Sequence, residues 1–125
     1  MKYILIGASN PHSIRVFHET QKYNPNIELV GFIDNGPQKI GSSFFGYPVV
    51  GGSEVVSNLN HDYNYVNLIT RDCLTRFNTS KEVYKQGARF SNLIHPSVSL
   101  SMASVGIGNY IQENVLIQAG VVIIS

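Results

Sequence analysis

A short run of glycine and small polar residues is the stretch of this chain best suited to bind a phosphate group. Gly7 permits a backbone conformation that other residues rarely adopt, and the small side chains after it keep the turn thin. When a helix follows such a turn, backbone N–H groups and the positive end of the helix dipole meet at one point, where anions bind. The candidate residues are Gly7, Ala8, Ser9 and His12. Because the sequence lacks G-x-G-x-x-G, an ordinary turn with Pro11 at the first helical position is the alternative.

A second pair of candidate residues follows the next apolar run. Asp34 and Asn35 come after the segment Ile-Glu-Leu-Val-Gly-Phe-Ile. In dinucleotide-binding folds an acidic residue at the end of the second strand, about 20 residues beyond the glycine turn, hydrogen-bonds a ribose or a base. The separation from Gly7 to Asp34 is near that value. The alternative is a plain Asp-Asn-Gly-Pro turn in which Asp34 accepts a backbone N–H.

Strand and helix patterns alternate around these candidates. Short apolar runs predict strands at 3–6, 27–34, 65–69 and 88–94, and patterns with a period of about 3.6 predict helices at 13–23, 53–59 and 72–86. Residues 41–52, rich in Gly, Pro and aromatics, predict an ordered covering loop, and Ser53 is placed to cap the helix after it. The order predicts a small, parallel, doubly wound sheet with right-handed crossovers.

The third predicted helix is expected to bury one apolar side. Its candidate core residues are Leu74, Phe77, Val83 and Tyr84. The single cysteine, Cys73, is expected to be a small buried side chain, and it excludes an internal disulfide and a cysteine-based zinc site.

Composition limits the classes of function. A net charge of +1 gives no electrostatic reason to expect nucleic acid or an anionic membrane as a partner, and a charged fraction of 14% leaves the surface to neutral polar groups. No apolar run approaches the ~20 residues of a membrane span, and the N-terminus shows no signal-peptide pattern. We therefore expect a cytoplasmic protein that does not insert into membranes and holds no metal.

A six-residue period replaces the helical period after His95. Val105, Ile111, Ile117 and Ile123 are aliphatic at every sixth position. This spacing predicts a parallel β-helix with faces of about one hexapeptide, of which roughly one 18-residue coil and a fraction would be present. We expect a truncated form of a longer protein. The alternative is a C-terminal strand that packs on the sheet domain.

These pieces in this order resemble the bacterial sugar acetyltransferases that include sialic acid O-acetyltransferases and N-acetyltransferases of UDP-linked 4-amino sugars. The most specific parts are LVGFID at 29–34, FGYPVVGG at 45–52, NLIHPS at 92–97 and the hexapeptides. The resemblance implies a Rossmann-like nucleotide-sugar-binding domain at 1–94 and the first turn of a left-handed β-helix at 95–125. It also implies a UDP-type sugar substrate, a role in surface-glycan biosynthesis, acetyl-CoA as co-substrate and a homotrimer once the β-helix is complete.

The family's glycine turn falls on Gly7, Ala8, Ser9 and His12, and its acid falls on Asp34, with Asn35 beside it. The turn here is one residue longer than the family's and lacks two of its glycines. The family's catalytic histidine lies beyond the position where this sequence ends, so we expect no catalytic residue and no acetyl-CoA binding in this chain.

The four histidines of this chain have other expected roles. We expect His18 and His61 at the surface and His95 in a packing or turn role. His12 is the one histidine that we consider for ligand contact, with a place at the helix start as the alternative.

Two functions are therefore compared. The first is the substrate-binding part of a sugar acetyltransferase, inactive by itself. The second is a non-catalytic nucleotide-binding or oligomerisation module. An NAD-dependent oxidoreductase is disfavoured because G-x-G-x-x-G is absent and the sheet is short.

Overall fold

A computed structural model describes residues 1–124 of the chain. It is a mixed α/β structure with a six-stranded, mostly parallel sheet and two smaller two-stranded sheets. The helices are α1 (His12–Tyr23), a 3₁₀ helix (Ser53–Asn58) and α2 (Cys73–Lys85). The strands are β1 (Lys2–Ile6), β2 (Glu28–Ile33), β3 (Ser43–Phe44), β4 (Tyr47–Gly51), β5 (Asn64–Asn67), β6 (Arg89–Phe90), β7 (Leu93–Ile94), β8 (Ser104–Val105), β9 (Tyr110–Ile111) and β10 (Val122–Ile123).

Strand β1 lies near the middle of the large sheet, whose order is β3-β4-β2-β1-β5-β6. Successive side chains of a strand point to opposite faces. Tyr3 and Leu5 accordingly join the apolar cluster that contains the α1 residue Phe17, while Ile4 and Ile6 join the cluster that contains the α2 residue Val83. Helices therefore cover both faces of the sheet, which explains why the strand reads as one continuous apolar run.

The segment at 41–52 is a correction to the predicted covering loop, because it contains two strands. Strand β4 pairs in parallel with β2, and β3 pairs antiparallel with β4. A Cβ on Gly31 in β2 would lie only 2.6 Å from the carbonyl oxygen of Pro48, so glycine is required there for β4 to approach. Phe45 and Gly46 both have positive φ and connect β3 to β4 as a two-residue hairpin turn.

Helix α2 is found where it was predicted, but it buries a different side. Leu74, Phe77 and Tyr84 are 69%, 62% and 70% exposed, and Val83 is fully buried. At 100° per residue, Val83 lies half a turn around the helix from Leu74, so the four predicted core residues never shared one face. Cys73, predicted to be buried, is exposed as well.

Two smaller corrections concern the ends of elements. Ser53 does not cap the helix at 53–59, because the 3₁₀ helix begins at Ser53 itself and Gly52 precedes it without a side-chain cap. The predicted strand at 88–94 is two strands, of which β6 joins the large sheet and β7 pairs with β9 instead.

The segment after β6 contains short strands that pair in parallel. Leu93 pairs with Tyr110 and Ser104 pairs with Val122, so paired residues lie 17 and 18 positions apart in the sequence. Three hexapeptides contain 18 residues, so the second spacing equals that length and the first is one residue shorter.

The six-residue series in this segment is less exposed than its surroundings. Ile111 is buried, and Val105, Ile117 and Ile123 are half-buried. Several other apolar side chains there are exposed, namely Met102, Ile107, Val115, Leu116, Val121, Val122 and Ile124. Ser125, the last residue of the predicted segment, lies outside the described residues.

No helix among residues 1–124 is long and apolar enough to cross a membrane.

Candidate functional site

Asp34 lies at the carboxyl end of β2 and holds the glycine turn in place. Its Oδ2 accepts a hydrogen bond of 2.8 Å from the backbone N–H of Ala8, and its Oδ1 accepts one of 2.8 Å from Gly36. The Gly7 N–H donates to the Ile33 carbonyl oxygen at 2.7 Å. The turn after β1 and the turn after β2 are therefore joined through one carboxylate.

Lys39 brings a positive charge to the same turn. Its Nζ donates to the carbonyl oxygen of Ala8 at 2.7 Å and to the hydroxyl of Ser9, and lies 3.7 Å from Oδ2 of Asp34. The sequence patterns did not identify Lys39. No local motif indicates that a residue five positions beyond Asp34 folds back over the turn.

An open pocket of about 310 Å³ adjoins this turn. It is lined by Ala8, Ser9, Lys39, Ser42, Ser43, Phe44 and Val49. The pocket contains one cationic side chain, three serine hydroxyls and one aromatic ring. It lies beyond the carboxyl end of β1, the edge at which ligands of open parallel sheets bind.

A second open pocket, of about 410 Å³, adjoins the amino end of β1 and includes Met1 and Lys2. We place the candidate site at the smaller pocket, because parallel α/β sheets bind ligands beyond the carboxyl ends of their strands.

Several of the N–H groups that the sequence offered to a phosphate already have partners. Ala8 donates to Asp34, His12 N–H donates to Oδ1 of Asn10 at 3.1 Å, and Ser13 N–H donates to the Asn10 carbonyl oxygen at 3.2 Å. An incoming anion would compete with these bonds. The Lys39 ammonium is the one cationic group that lines the pocket, and it also has partners in Ala8, Ser9 and Asp34.

Asn35 contacts the 3₁₀ helix. Its Oδ1 accepts from the Ser53 N–H at 2.7 Å and its Nδ2 donates to the Ser53 hydroxyl at 2.9 Å. A Cβ on Gly52 would lie 2.7 Å from Oδ1 of Asn35, so the glycine permits this close packing. The side chain of Asn35 thus fixes the loop beside the site.

His12 lies at the start of α1 and contacts the C-terminal segment. Its Nε2 lies 2.5 Å from Oε1 of Glu113, and both side chains are partly exposed. This hydrogen bond holds the pKa of the Glu113 carboxyl below its usual range. Since an ionised carboxylate can only accept, Nε2 of His12 must carry the hydrogen. No sequence pattern pointed to Glu113, which lies 101 positions away.

His95 takes the turn role that the sequence predicted. Its Nδ1 accepts from the Ser97 N–H at 3.0 Å, and its Nε2 lies 2.8 Å from Oε1 of Glu19 on α1. His18 and His61 are exposed, as predicted.

Glu19, His95 and Glu113 form one group with the geometry to be considered for a metal ion. One ligand atom from each lies within 4.8 Å of the others. However, Nδ1 of His95 accepts a backbone N–H, so the hydrogen of the neutral ring is on Nε2 and points at Glu19. That nitrogen offers no lone pair to a cation, and the group is better described as a hydrogen-bonded contact between α1 and the C-terminal segment.

No protein-family model matches this sequence, and no curated protein does. Solved structures do match. The acetyltransferase domain of PglB from Neisseria gonorrhoeae, solved with acetyl coenzyme A, has a TM-score of 0.73 at 22% identity, over 98% of this chain and 58% of that one.

PerB from Caulobacter crescentus, solved with CoA and GDP-perosamine, has a TM-score of 0.73 at 22% identity, over 95% of this chain and 55% of that one. A variant of the perosamine N-acetyltransferase from the same organism, also with CoA and GDP-perosamine, has a TM-score of 0.72 at 22% identity.

The chain has the fold of these bacterial sugar acetyltransferases. This confirms the predicted resemblance at the level of the fold. The chain spans 55–58% of the length of the solved structures that it matches.

Proposed function

We propose that this chain is the nucleotide-sugar-binding part of a bacterial sugar acetyltransferase. The observation that carries the proposal is the pocket containing Lys39, which lies beyond the carboxyl end of β1 in a chain with an acetyltransferase fold. The solved perosamine N-acetyltransferase carries GDP-perosamine, a sugar linked to a nucleoside diphosphate. We assign the same class of ligand, a nucleotide-linked sugar, to this pocket.

The groups that line the pocket suit such a ligand. Lys39 Nζ supplies the charge that a diphosphate needs, and the hydroxyls of Ser9, Ser42 and Ser43 supply hydrogen-bond partners for phosphate or ribose. Phe44 supplies an apolar ring for a base. Gly7, Ala8 and Ser9 form the turn, and Asp34 and Asn35 hold it and its neighbouring loop.

We propose that the chain consists of a Rossmann-like domain at 1–94 and the opening of a left-handed β-helix at 95–125. Parallel pairs 17 and 18 residues apart support a coil of three hexapeptides. Leu93 connects the two parts, because its backbone pairs with β9 while its side chain lies in the core cluster shared by the sheet and α1.

The chemistry of the whole enzyme would need further coils. Acyl transfer requires a base that takes a proton from the sugar amine or hydroxyl, and a groove that holds acetyl-CoA. We propose that acetyl-CoA does not bind the 125-residue chain and that a homotrimer forms where the β-helix is complete. Purified alone, the chain is expected not to turn over acetyl-CoA with an amino-sugar nucleotide above a control without protein.

Calorimetric titration of the chain tests the proposal. The ligands are UDP, GDP, a UDP-sugar, a GDP-sugar, NAD and acetyl-CoA. We expect binding of a nucleotide or nucleotide sugar and none of acetyl-CoA. Lys39→Met, which keeps the aliphatic stem and removes the charge, should weaken binding by roughly ten- to a hundredfold. Lys81→Met is the matched control, because Lys81 is exposed on α2.

Two results would contradict the assignment. Binding that survives Lys39→Met unchanged would place the ligand elsewhere, and no binding of any nucleotide at millimolar concentration would reject nucleotide recognition by this chain. In the second case the oligomerisation module becomes the better account, since exposed apolar residues such as Leu116 and Val122 favour association.

A further inference from the structure

A side chain of the C-terminal segment contacts the first residue of α1, just after the glycine turn. Glu113 follows β9, and its Oε1 contacts Nε2 of His12, the first residue of α1. His12 lies three positions beyond Ser9, which lines the pocket. A residue outside the large sheet thus fixes the orientation of an imidazole just after the turn that contributes Ser9 to the pocket, although neither His12 nor Glu113 lines the pocket itself.

The contact determines which atom of His12 is left for a ligand. Glu113 accepts the hydrogen on Nε2, so the neutral ring presents the lone pair of Nδ1. Within residues 1–124, Nδ1 of His12 has no hydrogen-bond partner, and the side chain is 34% exposed. An unpaired imidazole nitrogen of this kind accepts a hydrogen from a hydroxyl or an amine.

We propose that Glu113 is a positioning residue that holds His12 with Nδ1 available to accept a hydrogen bond from a hydroxyl or amine of the ligand's sugar. This inference rests on the proposed function. In this proposal the phosphates lie against Lys39 and Ser9, and the sugar extends toward the C-terminal segment, which precedes the coils that would hold the acetyl donor. The contact between His12 and Glu113 lies between the turn and that segment.

The neighbouring pair Glu19 and His95 provides a matched comparison. It joins the same two parts of the molecule, through Oε1 of Glu19 and Nε2 of His95 at 2.8 Å. None of the four residues lines the pocket, but His12 lies three positions from Ser9, which does, whereas Glu19 lies ten positions from Ser9. If Glu113 acts only by fastening the C-terminal segment to α1, then Glu19→Gln and Glu113→Gln should have similar effects. If Glu113 acts through His12, only Glu113→Gln should alter ligand binding.

The experiment measures affinity for UDP and GDP and for a UDP-sugar and a GDP-sugar, in the wild type, Glu113→Gln, Glu19→Gln, His12→Gln and the double variant His12→Gln/Glu113→Gln. We expect Glu113→Gln to weaken binding of the nucleotide sugar roughly tenfold and to leave binding of the bare nucleotide unchanged. Glu19→Gln should change neither. In the His12→Gln background, Glu113→Gln should have no further effect, since coupled residues are non-additive.

A spectroscopic measurement tests the positioning itself without any ligand. The ¹⁵N shifts of the His12 ring at alkaline pH should show the Nε2–H tautomer in the wild type and a mixture of tautomers in Glu113→Gln. An unchanged ratio would show that Glu113 does not set the tautomer of His12.

The inference is overturned by an unchanged tautomer ratio, by equal losses for nucleotide and nucleotide sugar, or by an effect of Glu113→Gln that persists without His12. These outcomes leave the proposed function standing if the wild type still binds a nucleotide. A wild type that binds neither ligand rejects the proposed function instead, and the sugar contact with it.

Discussion

Strand β1 and the C-terminal segment use the same aliphatic residue types but are covered to different degrees. Leu5 in β1 is completely buried between two layers of the structure. Leu116 is 83% exposed, although it lies among equally apolar neighbours. The large sheet is closed by helices on both faces, whereas each coil of a repeat needs a neighbouring coil to cover its apolar surface.

The comparison shows that an apolar pattern specifies a surface that must be covered, not the element that covers it. In the sheet the covering helices lie close in sequence, and the core is complete within this chain. In the C-terminal segment the pattern is regular, yet seven large apolar side chains remain exposed, including Ile107 and Ile124. The two regions should therefore respond differently to the same change.

The largest expected difference comes from one substitution made in both regions. Leu5→Ala should lower the free energy of unfolding by about 3–5 kcal/mol, because it removes a fully buried side chain and leaves a cavity. Leu116→Ala should change it by less than about 0.5 kcal/mol. Urea unfolding followed by circular dichroism measures both. A large loss in Leu116→Ala would show that another molecule covers this surface.

The carboxylate that joins the turns after β1 and β2 should give the next largest effect. Asp34→Ala removes the acceptor for the Ala8 and Gly36 N–H groups and should cost about 2–3 kcal/mol of stability. Asp34→Asn keeps one oxygen acceptor and should cost less. Asp62→Ala, at an exposed position, is the control. If Asp34→Ala unfolds like the control, Asp34 does not hold the turn, and a purely ligand-binding role for it is favoured.

The sequence predicted strand β1 and helix α1 well because each has one dominant apolar pattern. Strand β1 and helix α1 were placed to within one residue at each end. The apolar side predicted for α2 was wrong, because Leu74 and Val83 lie on opposite sides of a helix that is apolar on both. Tertiary packing buries the side of α2 that carries Val83, and the helical pattern alone does not indicate which side is buried.

The candidate site was predicted only where local chemistry marks it. Gly7 and Asp34 stand at the ends of strands, and the structure brings the two turns together. Lys39 and Glu113 reach the site from a loop and from a distant strand, by contacts that no short motif encodes. Strand β4 was missed because Pro48 interrupts its pattern, and proline is tolerated in a short strand near the edge of a sheet.

A substitution at Asn92 should affect the stability of the C-terminal segment without changing a residue of the sheet's apolar core. Its Nδ2 donates to the Gly106 carbonyl oxygen at 2.8 Å, and its Oδ1 accepts from the Asn109 N–H at 2.7 Å. Asn92→Ala should lower local stability after residue 92 by about 1–2 kcal/mol. Hydrogen exchange should then be faster at Gly106, whose N–H bonds to Ile123, and unchanged at Leu5.

The matched control for Asn92→Ala is Asn60→Ala, since within residues 1–124 the Asn60 side chain bonds only to the N–H of Asp62, two residues away. Equal protection of Gly106 in the wild type and Asn92→Ala would mean that the segment is held by its other contacts. In the wild type, Gly106 should already exchange faster than Leu5. Equal protection of the two in a monomer would contradict the view that the C-terminal segment is incompletely covered.

The smallest expected effect is electrostatic. It involves one carboxyl group at the contact between α1 and the C-terminal segment and one in the sheet region. The hydrogen bond from His12 lowers the pKa of Glu113, and the hydrogen bonds from Thr75 lower the pKa of Asp72, which caps α2. A carboxyl whose pKa is lower in the folded state contributes stability above its ordinary pKa and loses it as the pH falls through the folded value. Both contributions should therefore disappear on acidification.

The His12→Gln variant separates the two carboxyl groups. It should raise the pKa of Glu113 toward its ordinary value and leave that of Asp72 unchanged, because Asp72 is held by its own helix. Carboxyl ¹³C shifts recorded between about pH 2 and 7 follow each group directly. If the pKa of Glu113 stays low without His12, another group supplies the shift and the contact between the two regions is weaker than the structure indicates. If both pKa values rise, the substitution has disturbed α2 as well. The structure of the sheet region then depends on the contact between His12 and Glu113 more than its burial implies.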